Sequence, residues 1–410
     1  MLFCISHDGN KQIYSKTYTK LNMENLTLKL GKRIDTTNYI EVEKELLKQI
    51  AATPHTTLTL DAEDLDYIAS SGLRVVLKIA RMDKKLRIIN TDLKVYNIFE
   101  MTGFSKIIHI EKKPRKIDLS QCTLLGAGGT GAVYRISPEE IVKVNYNPAT
   151  EAEMIEEKEK SQAAFVLGVP TAISFDTVDC GDGRKGVVYE TIQNSTLGEM
   201  LEADPSRCEN LVSAYIKALR SINSIHTDNP VFPSAIDFYI DCIEKAKPFY
   251  TEEEMAMLQR VVDAMPAGDR LVHGDAHPKN LMLQGDEMMW IDMAMVCVGH
   301  PIYDIISLAC MLFLSNDEFA KKLTGMSLAN LQRFSEVFIR LYFGVEEEAK
   351  VLRYKQMMAQ LYMIRGVFSI GFNSPATIQA RPRILQMARE RFFPNIDSII
   401  ATVKELSEIA

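Results

Sequence analysis

The chain contains no apolar run approaching the roughly 20 residues that a membrane-spanning helix takes. Its seven cysteines, at positions 4, 122, 180, 208, 242, 297 and 310, are odd in number and form no CxxC pair. That scatter argues against a disulfide framework and against a zinc site, and for reduced thiols in a cytoplasmic compartment. Cys4 and Cys297 read as small apolar residues. There is no excess of basic charge either: 47 Lys and Arg stand against 54 Asp and Glu, a net charge of -7, which removes the case for a general nucleic-acid binder. The opening MLFCISHDGNKQ is too short and too polar to be expected as a signal peptide. No internal repeat or low-complexity segment is present. A chain of 410 residues, 47% hydrophobic and 25% charged, is long enough for two or three ordinary globular domains.

The most informative stretch is 271–304, LVHGDAHPKNLMLQGDEMMWIDMAMVCVGHPIYD. His273-Gly274-Asp275 opens a loop, and Asn280 follows five residues after Asp275. Two short apolar runs, 281–283 and 288–291, flank a Gly285-Asp286 turn, and the second ends on Asp292. A hairpin of this kind brings Asn280 and Asp292 to one end. Phosphoryl transfer needs that set: one carboxylate, Asp275, to orient a hydroxyl and take its proton, and an amide oxygen and a second carboxylate, Asn280 and Asp292, to hold Mg2+ against ATP. A zinc pair of His273 and His277 is disfavoured, because Gly274 and Pro278 interrupt any helix there; His273 is expected to order the loop by hydrogen bonds.

Upstream, 122–125 leads into Gly126-Ala127-Gly128-Gly129-Thr130-Gly131 and then the strand-like AVYRI. Glycines let a backbone approach phosphates. A dinucleotide fingerprint would need a helix after them. Lys143, in the strand EIVKV after the Gly-rich turn, is a candidate for contacting phosphates, since it stands where kinases place the lysine for the α- and β-phosphates. Its partner is sought on a helix over 150–167, where Glu156, Glu157 and Glu159 lie. Helical spacing places Glu159 with Ala163 and Val166, and Glu157 with Ala164 and Phe165; Glu159 is narrowly preferred. Strands over 170–176 and 185–192 end in a hinge, with Glu190 to Ile192 offering backbone groups to adenine. From 207 onward the chain is mainly helical, and Met357, Met358, Leu361 and Met363 read as core.

The set HGDxHxxN, apolar run, turn, apolar run, Asp resembles the aminoglycoside phosphotransferase and choline kinase group, a branch of the protein-kinase-like fold. The likeness extends over roughly 118–400. It implies an α+β bilobal domain over 116–410, with a small lobe at about 117–195 and a large helical lobe at about 196–410. It implies ATP and Mg2+ as cofactors, Asp275 and Lys143 as catalytic residues, and Asn280 and Asp292 at the metal. It also implies Gly126, Gly128, Gly129, Gly131, Lys143, Glu159, Glu190 and Ile192 around the nucleotide, and an Asp304 that supports the catalytic loop.

Residues 1–115 alternate strand-like and helix-like segments, expected as strands at 11–18, 24–30, 56–60 and 86–90 and helices at 38–51, 73–82 and 93–101. That pattern indicates a small α/β domain with one sheet. Within it, LTLDAEDLDYIASSGLRVVLKI and IFEMTGFSKIIHI resemble the STAS domain of anti-sigma-factor antagonists. The resemblance makes Ser70, the first Ser of Ser70-Ser71-Gly72, a regulatory phosphosite, although Ala69 stands where the pattern usually has Asp. On the residues alone, Ser70 and Ser71 cap a helix from Gly72 onward. The basic run 112–116 reads as a linker.

The sequence thus leads to an ATP- and Mg2+-dependent phosphotransferase with a hydroxyl acceptor, small molecule or Ser, joined to an α/β STAS domain. The rival expectation is a regulatory interaction protein whose STAS surface binds a partner and whose kinase-like part senses nucleotide or phosphorylates proteins. Neither involves nucleic acid or a membrane.

Overall fold

The computed structural model describes residues 24–127, 131–146 and 151–410. The chain divides after Pro114 into two units. The strand expected over 11–18 lies outside the described residues, as do Cys4, Gly128 and Gly129.

The first unit alternates strands and helices. The strands are β1 (Glu24–Lys29), β2 (Arg33–Ile34), β3 (His55–Asp61), β4 (Tyr67–Ile68), β5 (Arg87–Thr91) and β6 (His109–Lys112); the helices are α1 (Tyr39–Ala52), α2 (Ser70–Met82) and α3 (Leu93–Met101). The main sheet has the order β1-β3-β5-β6 with every neighbouring pair parallel. Parallel strands need crossovers, which the helices provide. Leu58, Leu60 and Ile88 of the sheet pack with Val75, Val76 and Ile79 of α2 and Val95 and Phe99 of α3. In α1, Leu46 is buried and Ile40 is exposed. The Ser-Ser-Gly segment is not a turn before a helix. Ser70 is the first residue of α2, Ala69 is its N-cap, and no side chain caps it. The two serines are therefore not the expected caps. Ser70 is exposed, whereas Ser71 is buried and its hydroxyl has no partner among the described residues.

The second unit begins with β7 (Arg115–Lys116), β8 (Thr123–Ala127), β9 (Gly131–Arg135) and β10 (Glu140–Asn145), then α4 (Glu151–Val166), β11 (Ser174–Asp179) and β12 (Lys185–Glu190). These strands form one sheet in the order β7-β11-β12-β10-β9-β8. Alternation along β10 sends Val142 and Val144 to one face, where they meet Val178, Cys180 and Val188. The opposite face, carrying Ile141, Val187 and Tyr189, packs with Met154 of α4. Lys143 alternates onto that second face.

The rest is mostly helical: α5 (Leu197–Ala203), α6 (Cys208–Asn223), α7 (Ala235–Ala246), α8 (Glu252–Ala264), α9 (Ile302–Leu312), α10 (Asp317–Thr324), α11 (Leu328–Phe343), α12 (Glu348–Phe368), α13 (Pro375–Met387) and α14 (Ile396–Ser407). Between α8 and α9 lie β13 (Arg270–Val272), β14 (Leu281–Gln284), β15 (Glu287–Trp290) and β16 (Cys297–Gly299). The helices share one large core that includes Tyr215, Trp290, Phe334, Phe338, Met358 and Phe368. No described helix is long and apolar enough to cross a membrane.

Candidate active site

Strand β13 delivers His273-Gly274-Asp275 from its C-terminal end, held by antiparallel pairing of Leu271 with Val298 of β16. Gly274 has φ 75°, and a Cβ there would lie 2.3 Å from the Met295 carbonyl oxygen, so the loop's close approach to 293–295 requires glycine. Asp304, at the start of α9, is fully buried and accepts hydrogen bonds from the backbone N–H groups of His273 (3.1 Å) and Gly274 (2.7 Å) and from the Asn223 side chain (2.8 Å). The Tyr215 hydroxyl donates to the Ala276 carbonyl. His273 accepts the Asp275 N–H at Nδ1 (3.3 Å) and donates from Nε2 to the Ile291 carbonyl (3.2 Å), while its ring lies 4.6 Å from that of Trp290. Burial lowers its pKa, in keeping with that neutral tautomer.

The β14–β15 hairpin pairs Leu281 with Trp290, and the Ile291 N–H donates 2.9 Å to the Asn280 carbonyl. Asn280 and Asp292 therefore stand at the same end. Asp292 takes φ 60°, in the left-handed region that is uncommon for non-glycine residues but that Asp enters more readily than most. Its carboxylate lies 3.0 Å from the Lys143 ammonium. Lys143 also donates to both Glu157 oxygens, at 2.7 and 2.9 Å. Burial alone would lower the Lys143 pKa, but the charges of Asp292 and Glu157 outweigh it and hold the ammonium above its ordinary value.

The lysine partner is thus Glu157 and not Glu159. Met154, Glu157, Lys160, Ser161 and Ala164 make up the inward face of α4, while Glu159 is exposed and Val166, taken as its apolar neighbour, is 83% exposed. At the hinge two of the backbone N–H groups are already engaged. The Glu190 N–H donates to Ile173 O and the Thr191 N–H to Glu139 O, so neither is available to a ligand. Glu190 and Ile192 both border the cleft.

Lys143, Glu157, Asn280, Asp292, Gly126, Glu190 and Ile192 line one cavity of about 440 Å³. Its volume is in the range of small-molecule sites. Gly131, the first residue of β9, is not among the lining residues; a Cβ there would lie 2.3 Å from the Val144 carbonyl oxygen, so its pairing with β10 requires glycine. Thr196 and Glu199, a capping box at α5, also reach this cavity, and nothing in the motif spacing announced them.

Asp275 is one-third exposed, 3.5 Å from His277 Nε2 and 3.2 Å from the Asn280 side-chain nitrogen. Burial would raise its pKa, but the His277 hydrogen bond and the charges of His277 and Arg365 prevail and pull it to about 2. Asn280 uses its side-chain nitrogen on the Asp275 carbonyl and carboxylate, which leaves the amide oxygen for another partner. Among the described residues no group of three or more His, Cys, Asp and Glu is placed to hold a metal alone. Asn280 and Asp292 offer hard oxygen atoms in a cleft wide enough for phosphate, a donor set that fits Mg2+ only if a ligand completes it.

Comparison with known proteins gives two matches that overlap over 121–129. Residues 15–129 match the STAS domain. Residues 121–347 match the phosphotransferase enzyme family, APH. The curated proteins contain no match. Solved structures include the streptomycin-ATP-APH(2")-IIa ternary complex, 16% identical, covering 72% of this chain and 97% of that one with a TM-score of 0.42. Amicoumacin kinase hAmiN in complex with AMP-PNP, Ca2+ and Ami is 14% identical, with coverages of 71% and 93% and a TM-score of 0.43. A choline/ethanolamine kinase family protein from Mesorhizobium loti is 18% identical, with coverages of 69% and 92% and a TM-score of 0.40. With the family match spanning more than half of the sequence, from the Gly-rich turn through the catalytic loop and beyond, the chain belongs to the phosphotransferase enzyme family.

Proposed function

We propose that the second unit transfers the γ-phosphoryl group of ATP to a hydroxyl acceptor. The observation that carries this reading is the Lys143 ammonium bonded at once to Glu157 and Asp292, in the cleft that also holds Asn280. In phosphoryl transfer the lysine–glutamate pair and the metal-binding carboxylate must be in place together. Lys143 would bind α- and β-phosphate oxygens, and Gly126 would leave space for the phosphates. Asn280 and Asp292 would hold Mg2+, which when bound supplies charge neutralisation at the phosphate oxygens.

Asp275 orients the acceptor. The acceptor oxygen forms a bond to Pγ, the bond from Pγ to the bridging oxygen breaks, ADP leaves with the electron pair, and the acceptor proton passes to Asp275. A carboxylate with a pKa of about 2 is a weak base. It suits a loose transition state, in which alignment of the hydroxyl matters early and its proton moves late. Purified full-length chain with labelled ATP, without and with a panel of alcohols, tests the reading. Asp275→Asn should lower turnover by about 100-fold or more while nucleotide affinity stays intact; full turnover in that variant would refute the assignment.

The STAS unit is proposed as a regulatory partner of this activity. Ser70 is exposed at the first position of α2, where unpaired backbone N–H groups favour added negative charge. We place the phosphoryl acceptor in regulation at Ser70, in the same chain or a neighbouring one. Mass spectra of residues 1–115 after incubation with MgATP should show phosphate on Ser70 in the wild type and none in Asp275→Asn. An unmodified Ser70 in an enzyme that turns over a small alcohol would exclude it. Nucleotide binding without any transfer would favour the rival, a nucleotide-sensing interaction protein.

A further inference from the structure

A second cavity, of about 290 Å³, lies on the other side of the catalytic loop. Gly274, Ala294 and Met295 border it, whereas the adjacent Met293 and Asp292 border the nucleotide cleft. Gly274 and residues 294–295 thus face this cavity while Asp292 and Met293 face the other, and Asp275, which lines neither, follows Gly274 directly in the chain. A hydroxyl held in this cavity would approach Asp275 past Gly274, from the side away from the nucleotide.

Its walls are aromatic, with Phe238, Tyr239 and Tyr303, and its charges are few. Lys160 and Glu156 pair with each other at 2.6 Å, and Lys160 also donates 3.0 Å to the Ala294 carbonyl. Arg365, from α12, is different. Among the described residues it forms no ion pair with any carboxylate, and its guanidinium lies 4.5 Å from the centre of the Phe238 ring. Its charge reaches Asp275 without bonding to it. A half-buried guanidinium, stacked on one aromatic ring, hydrogen-bonded to Tyr239 and in direct contact with no carboxylate among the described residues, gives the cavity a positive charge that only the more distant Asp275 offsets. A guanidinium fork is suited to two-point binding of carboxylate or phosphate.

Resting on the phosphotransferase reading, we infer that this cavity binds the acceptor, and that the acceptor is a small alcohol bearing a carboxylate or phosphate group, which docks on Arg365. The volume holds about ten water molecules at roughly 30 Å³ each, so the acceptor is small. A polycationic aminoglycoside would meet like charge at Arg365 and lose rather than gain on entry.

Equilibrium binding to the full chain tests this, with Mg2+ and a non-hydrolysable ATP analogue present and four probes: glycerate, glycerol 3-phosphate, glycerol and the aminoglycoside kanamycin. The expected result is that at least one of the two anions binds about tenfold or more tighter than glycerol, with kanamycin the weakest. The tighter anion tells carboxylate from phosphate. Arg365→Gln should abolish the preference with nucleotide affinity unchanged within about twofold, and Arg365→Lys should keep part of it. Should neither variant fold, the wild-type affinities decide alone. Equal binding of glycerol and both anions, kanamycin as the tightest probe, binding of none, or a preference that survives Arg365→Gln would overturn the inference and leave the phosphotransferase reading standing. Failure of the ATP analogue to bind would remove the underlying reading and this inference with it.

Discussion

Replacing Asp304 by Asn tests whether the catalytic loop is held from below as the geometry requires. Asp304 is fully buried, and its oxygens accept three hydrogen bonds: Oδ2 from the Asn223 side chain and the His273 N–H, Oδ1 from the Gly274 N–H. Asparagine keeps the shape and one acceptor oxygen. Whichever way the amide turns, its NH2 faces at least one of the donors, so a buried N–H is orphaned together with the new amide hydrogens. Hydrogen bonds to a charged group contribute about 1.5–3 kcal/mol, and an orphaned buried donor costs about 1–3 kcal/mol. Burial pushes the Asp304 carboxyl up, so losing its charge offsets part of that cost. The expected destabilisation is about 2–4 kcal/mol, against a total stability of order 5–15 kcal/mol. Trp290, the chain's one tryptophan, is buried beside the His273 ring, and its fluorescence in a urea titration reports on this unit alone. Asn223→Ala removes one donor of three and should cost about 1 kcal/mol. An Asp304→Asn protein within about 0.5 kcal/mol of wild type, the range of a neutral surface change, would refute the reasoning.

Glu157→Gln should weaken nucleotide binding or turnover by about tenfold, since it removes one of two anions holding Lys143, while Glu159→Gln should change neither; steady-state kinetics of the two variants side by side checks the pairing. Asp292→Ala should make the affinity for an ATP analogue independent of Mg2+, read by titration with and without the ion; an undiminished metal effect would move the site elsewhere. His277→Asn removes the hydrogen bond and charge that hold the Asp275 pKa near 2, leaving burial to push it upward, so the acid limb of the pH–rate profile should shift to higher pH. In the wild type the depressed pKa makes Asp275 stabilising above its ordinary 3.8, a contribution lost as pH falls through about 2; in His277→Asn, acid unfolding should lose that protection, and an acid limb that stays in place would count against the assigned cause.

The catalytic loop and hairpin could be read from sequence because their chemistry is contiguous. Residues 271–304 contain Asp275, Asn280, Asp292 and Asp304 together with the turn residues that fix their spacing, and the structure joins them through bonds between near neighbours such as Ile291 N–H to Asn280 O. Lys143 likewise lies in the strand expected from EIVKV. Reasoning failed where burial and polarity part company. In α4 the inward face carries Glu157, Lys160 and Ser161, and Phe165 and Val166 at its end are exposed, so following the apolar residues led to Glu159. A helix facing an active-site cleft inverts the usual pattern, because the cleft needs charge inside. Arg365 gave no signal, being one basic residue among the buried Met363, Ile364 and Val367 of α12. Its meaning comes from Phe238 on another helix and from a catalytic loop ninety residues earlier in the chain. Motifs written in one stretch thus identify the reaction class. The residues that select an acceptor are gathered from distant helices, and only the packed structure shows which charge has no carboxylate in contact with it.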